Sequence, residues 1–186
     1  MVRRFVAALI MCAAPVALAA TVLLPAEFRE IVAGSDVIVY GRVAATEVRW
    51  SDDRKHVDTL VTLQAGTFLK GSAEGPLIFK VPGGTIGRYM NVTIGAPTFN
   101  VGDEAVFFLS TRGREMPAIF GFNQGVFRVS TDPSTHRRIV MPPLLSRGEA
   151  AETVQRGDPA RKPLPLEAFG AQVQSLVAET ARAAIR

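Results

Sequence analysis

The sequence is nearly without cysteine. Its one thiol, Cys12, falls within the first twenty residues, so the chain beyond them can form no disulfide and must be held by its apolar core alone. Histidine is scarce as well, with two in the chain. No Gly-x-Ser-x-Gly elbow, His-Glu-x-x-His pair or Gly-x-x-x-x-Gly-Lys-Ser/Thr loop occurs. These gaps exclude the common nucleophile, zinc-hydrolase and phosphate-loop chemistries. Nothing after residue 20 approaches the ~18 consecutive apolar residues of a membrane-spanning helix. No strong excess of one charge is present either.

What is there begins with the N-terminus, MVRRFVAALIMCAAPVALAA. Arg3 and Arg4 form a charged region, residues 5–16 an apolar one, and Ala17-Leu18-Ala19 a small-residue cleavage site, which is the layout of a secretory signal peptide. A short membrane anchor is the alternative. A lipoprotein reading of Cys12 is disfavoured because Met11 stands where a small residue is needed. Cleavage after Ala19 would release the chain into a periplasm or beyond. It would also remove two of 21 basic residues and leave 17 acidic ones, a formal charge of about +2. That balance does not suit a nucleic-acid partner, which calls for a concentrated basic face. The local basic pairs (Arg112 with Arg114, Arg137 with Arg138, Arg161 with Lys162) read as solvated loops. About 165 residues remain, enough for one single-core domain.

Periodicity predicts a mostly β fold. PAEFREIVAG places Phe28, Ile31 and Val32 on one helical face, with Pro25 at the start and Gly34 at the end. From Val37 the period becomes two, with Val37, Val39, Gly41 and Val43 on one side and Ile38, Tyr40 and Arg42 on the other. SDDRKH is a polar turn, and VDTLVTLQAGTFLKG alternates again, so the pair reads as a β-hairpin. PLIFKV, EAVFFLST, GVFRVS and RRIVM follow at turn-separated intervals, giving a meander of five or six strands. The expected architecture is a small OB-like barrel with a short N-terminal helix and a C-terminal amphipathic helix. By segment, residues 1–19 are the signal peptide, 20–141 the barrel and 142–164 a Pro/Gly-rich linker with a helical turn near 148–154. Residues 165–186 form a helix whose Leu166, Phe169, Val173, Leu176, Val177 and Thr180 pack on the barrel.

Two stretches are candidate sites. KVPGGTIGRYMNVTIGAPTFNVGDEAVFFL sets Gly83, Gly84 and Gly87 between apolar runs. The spacing is wrong for a phosphate or dinucleotide loop, and the extended NVTIG follows where a helix would be needed. These glycines are read as turn residues that permit positive φ. The long loop they open carries Arg88, Tyr89, Met90 and Asn91, residue types suited to contact with a partner. The alternative is that residues 83–99 fold back over a barrel end. Asn91 also begins an Asn-x-Thr glycosylation pattern. The second stretch, SDDRKHVD, holds Asp52, Asp53, His56 and Asp58. Carboxylates there could take calcium and the histidine zinc, although a hairpin tip is also where polar residues belong.

A resemblance can now be stated. EIVAGSDVIVYGRV, a polar hairpin and VDTLVTLQAGTFLKG resemble the opening of OB-fold-like barrels of the tissue-inhibitor-of-metalloproteinases and netrin type, through Asp36, Val37, Val39, Gly41, Val43, Leu69, Lys70 and Gly71. The chain is also similar to a group of exported bacterial proteins sharing FKVPGG…GAPTFNVGDEAVFFL. The likeness spans roughly residues 27–130 and implies a fold more than a function. Those inhibitors chelate zinc through an N-terminal cysteine, which this chain lacks, so zinc-directed inhibition does not carry over. The favoured reading is an exported, non-catalytic binding module that needs no cofactor and meets an envelope or extracellular protein. The alternatives are a hydrolase with an unrecognised site and a structural envelope component.

Overall fold

Residues 26–111, 116–143 and 162–184 are described by a computed structural model. The signal segment, the 148–154 turn, Arg112, Arg114 and Arg161 lie outside the described residues. The first element, α1 (Phe28–Gly34), is only seven residues long, too short to hold itself. It is tied at both ends. The Glu27 backbone N–H donates to Glu30 Oε2 at 3.0 Å, and Lys70 Nζ donates to the carbonyls of Val32 and Ala33 at 2.9 and 3.4 Å. Lys70 thus supplies a charge to the orphan carbonyls at the helix C-terminus. Beside it Gly71, at φ +68°, lets the chain pass so close to the Asp36 carbonyl that a Cβ would sit 2.6 Å from the oxygen. Asp36 in turn accepts from the Thr111 N–H and hydroxyl at 2.7 and 2.8 Å. The Asp36 and Leu69-Lys70-Gly71 motifs noted above therefore form one junction between helix and sheet.

Strands β1 (Val37–Trp50) and β2 (Val57–Lys70) form the long hairpin read from the sequence. Shifts in their register near Tyr40/Gly41 and Val43/Ala45 bend β1, and such bends allow a sheet to close. β3 (Leu77–Pro82) pairs antiparallel with β2. β6 (Glu104–Ser110) pairs antiparallel with the first half of β1, from Val37↔Leu109 to Arg42↔Glu104. The remaining gap is filled by β7 (Ala118–Ile119), parallel to β3 at Lys80↔Ala118 and antiparallel to β6. The ring is therefore β1-β2-β3-β7-β6 and back to β1, an OB-like closure of five strands. From β6 the sheet continues outward through β8 (Val126–Thr131), β9 (Arg138–Met141) and β10 (Leu164–Pro165). A separate small hairpin, β4 (Gly84–Ile86) with β5 (Tyr89–Asn91), follows β3. The chain ends in α2 (Leu166–Ala184).

The simple meander expected from the sequence is corrected in two places. First-to-last closure runs through β1–β6, and a two-residue strand that no periodicity marks completes the ring. Leu164 and Pro165, assigned to linker and helix, instead form an edge strand on β9, where proline is tolerated because no donor is needed. Pairing of alternate residues follows the expected faces. Val39, Val43, Val61, Leu63, Phe79, Phe107 and Leu109 fill the ring. Ile38, Val106 and Phe108 face outward into a second core with Phe28, Ile31, Phe127, Phe169 and Val173, which covers the ring with both helices. Among the described residues no helix is long and apolar enough to cross a membrane.

The turn 132–136 is fixed by one carboxylate. Asp132 accepts from the Ser134 hydroxyl at 2.6 Å and its N–H at 2.8 Å, which holds its carboxyl down to about 2. A depressed carboxylate adds stability above its unfolded value and loses it as pH falls toward the folded one. The Asp132 carboxyl resonance should titrate near pH 2 by NMR, and Ser134→Ala should move the midpoint up. Phe107→Ala should cost about 3–5 kcal/mol in urea unfolding, from lost transfer energy and a cavity inside the ring. Gly71→Ala should cost at least about 1–2 kcal/mol by the same measurement, because a Cβ disfavours positive φ.

Candidate functional site

The quoted glycines build a hairpin and no anion cradle. Gly83, Gly84 and Gly87 have φ of +104°, +147° and +57°. The Gly83 N–H donates to the Val57 carbonyl at 2.8 Å, and Thr59 Oγ1 donates to the Gly83 carbonyl at 2.7 Å. A Cβ on Gly84 would come within 2.6 Å of a Val48 methyl and 2.9 Å of Thr59 Oγ1. Absence of that carbon lets β4 lie directly against the β1–β2 hairpin.

The loop of residues 83–99 then divides in two. Its far half folds back over the ring. Ala96 and Phe99 pack on the interior core, the Phe99 ring centred 5.7 Å from both Phe79 and Phe107. Arg128 clamps this cover, its guanidinium 5.5 Å from the Phe99 ring centre, donating to the Thr98 carbonyl at 2.7 Å and pairing with Asp103 at 3.0 Å. The near half stays out. Arg88 is exposed at the hairpin turn. Tyr89 stacks on Trp50 with ring centres 4.6 Å apart. Asn91 is half-buried in the pairing with Gly84. Met90, Val92 and Ile94 are 67%, 74% and 95% exposed, an apolar row at every second residue. Sequence reading named Arg88, Tyr89, Met90 and Asn91 but missed Trp50, Val92 and Ile94. The alternation in MNVTI was the available signal, read only as extended chain.

The second candidate stretch is the β1–β2 hairpin tip. Asp53 Oδ1 accepts from Ser51 Oγ at 2.7 Å and the Lys55 N–H at 3.2 Å, and the Ser51 bond foremost pulls its carboxyl below the usual range. His56 stands between two carboxylates, Nδ1 3.8 Å from Asp53 and Nε2 3.5 Å from Asp58 Oδ2. Asp58 is buried, and the same Oδ2 lies 3.2 Å from Lys80 Nζ. Asp52 is exposed beside them. The structure thus brings Asp53 and Asp58 together on either side of His56, with the Lys80 ammonium on Asp58. Lys80 occupies the side of Asp58 that a metal cation would need. Among the described residues no group of three or more His, Cys, Asp or Glu side chains is arranged to hold a metal ion. Lys80, on the next strand β3 and 22 positions from Asp58, was not legible as part of this cluster.

These side chains border an open groove of roughly 1090 Å³. Its floor is the outer face of β2 and β3, with Asp58, Leu60, Lys80 and Pro82. Trp50, Ser51, Asp52 and Asp53 of the hairpin tip and Met116, Ala118, Phe120 and Phe122 also line it. Tested against protein-family models and curated proteins, the chain finds no match.

Two outcomes follow from the Asp58 contacts. Lys80→Met should lower the unfolding free energy by about 1–3 kcal/mol, measured in urea, because a buried carboxylate loses its strongest partner. Equilibrium dialysis against zinc or calcium should retain no stoichiometric metal on the wild-type chain.

Proposed function

We propose that the protein is an exported, non-catalytic binding module whose partner is an envelope or extracellular protein. The observation that supports this reading is the apolar row of Met90, Val92 and Ile94 beside the Trp50–Tyr89 stack. Large aliphatic side chains at this exposure cost solvation free energy unless a partner covers them. They project from a hairpin seated on the barrel by Gly84 and Thr59, so little ordering is required on association. Aromatic residues, methionine and arginine are the types enriched at protein contacts, and Arg88 stands at the tip of the same hairpin. Export rests on the Arg3-Arg4 leader and its Ala17-Leu18-Ala19 site. A protease-regulating role has only the analogy of barrel shape behind it.

The second reading, a hydrolase, draws on the His56–Asp58 contact within the groove. It is supported less well. Lys80 already neutralises Asp58, and Ser51 Oγ donates its one proton to Asp53 while accepting from the His56 backbone N–H, so this hydroxyl is not poised on the imidazole.

Affinity purification of the tagged chain from its native envelope tests the leading reading. Arg88→Ala with Tyr89→Ala, and separately Met90→Asp with Ile94→Asp, should each abolish recovery of a partner that the wild type retains. All four side chains are exposed, so far-UV circular dichroism should be unchanged, and only the variant without Tyr89, which loses the stack on Trp50, should melt slightly lower. Recovery of every partner at wild-type strength by both double variants would dismiss the hairpin as the contact.

A further inference from the structure

We propose that β5 pairs edge to edge with β5 of a second copy of the chain. The proposal deepens the binding-module reading by naming the partner of its hairpin, and it rests on that hairpin being a contact surface.

The turn decides which backbone groups are left over. Gly87, at φ +57°, and Arg88 form a two-residue connection between Ile86 and Tyr89. In such a hairpin the flanking residues exchange their N–H and C=O groups, and bonded and non-bonded pairs alternate from there. Ile86 with Tyr89 and Gly84 with Asn91 therefore carry the ladder, while Thr85 with Met90 does not. The amide and carbonyl of Met90 point off the far edge of β5, and Val92, two residues on, repeats that direction. Among the described residues no backbone hydrogen bond outside the ladders reaches either one. Both side chains are exposed as well, so this edge is open.

Open edges are ordinarily blunted by proline, charge or a covering segment. The eight-stranded sheet follows that rule, ending in β10, where Pro165 has no N–H to offer. β5 does not. It holds neither proline nor charge, and no charged residue occurs between Arg88 and Asp103.

The same uncharged stretch favours a second copy as the occupant. An acidic or basic segment would find only Arg88 to answer its charges, whereas a second copy brings a matching uncharged edge. An antiparallel neighbour reaches the outward groups when Met90 of one copy stands opposite Val92 of the other. That register has its two-fold axis at Asn91 and closes at two chains. Both Met90–Val92 pairs then lie on one face, where they cover side chains that now meet water. Each Arg88 falls opposite Ile94 of the other copy, so the like charges stay apart.

Sedimentation velocity of the full chain without its leader, from about 1 to about 500 μM, reads the association directly. An edge this short belongs at the weak end of specific interfaces, and a monomer–dimer equilibrium with a Kd of roughly 10–100 μM is expected. Met90→Lys and Val92→Asp each set a charge against an apolar residue and should each weaken the dimer at least about tenfold. An equimolar mixture of these two variants should restore it, because the new ammonium then faces the new carboxylate. Val92→Pro keeps an apolar side chain but removes the outward N–H, and should weaken the dimer comparably. These positions are exposed, so far-UV circular dichroism should be unchanged throughout. A monomer at every concentration would overturn the proposal, as would a dimer that ignores all three substitutions or a mixture that stays monomeric. A monomeric chain that still recovers a different protein through Met90 and Ile94 would sink self-pairing alone and leave the binding-module reading standing.

Discussion

Strand β6 has no side that faces water, and the rest of the molecule is arranged around that fact. Ala105, Phe107 and Leu109 point into the ring, while Val106 and Phe108 point out into the helices. The Phe108 ring meets Phe28, Phe127 and Phe169 within 5.2–6.4 Å, and Phe107 meets Phe79 and Phe99 at 5.4 and 5.7 Å. Adjacent phenylalanines therefore anchor two different cores through one backbone. A chain whose one cysteine is Cys12, and which therefore has no internal disulfide, needs this economy, because its stabilising contacts have to come from packing. The helices are bound to the barrel by the outward half of β6 and have little reason to form without it.

Much of this was legible from residue order. The switch from period 3.6 to period two at Val37, the alternation of β1 and β2, and the apolar stripe of α2 each reflect one buried face, and a buried face writes itself into sequence. What was not legible is equally physical. β7 has only two residues, too few for any period, and its pairing depends on Lys80↔Ala118, partners far apart along the chain. The edge pairing of Leu164 with Val140 was masked by two prolines. At the candidate site, the turn residues Asp53 and His56 stood out as chemistry. Lys80 did not, because only the register of β2 against β3 brings it to Asp58.

The long loop after β3 shows how one segment can serve two physical ends. Gly83 and Gly84 seat its near half on the hairpin, and Arg128 secures its far half over the ring mouth. Between these two anchors Met90, Val92 and Ile94 lie outside both cores. Either reading of the loop from sequence, contact surface or barrel cover, describes half of it.

The lateness of β7 in the chain has a bearing on how the protein is made. Ring closure joins Tyr40 to Glu104, 64 positions away, and is completed only when Ala118 and Ile119 arrive. Until then the earlier strands are an unclosed ribbon with apolar residues on both sides, and such long-range pairing is slow to nucleate. The chain acquires its lasting shape only after most of its length is available.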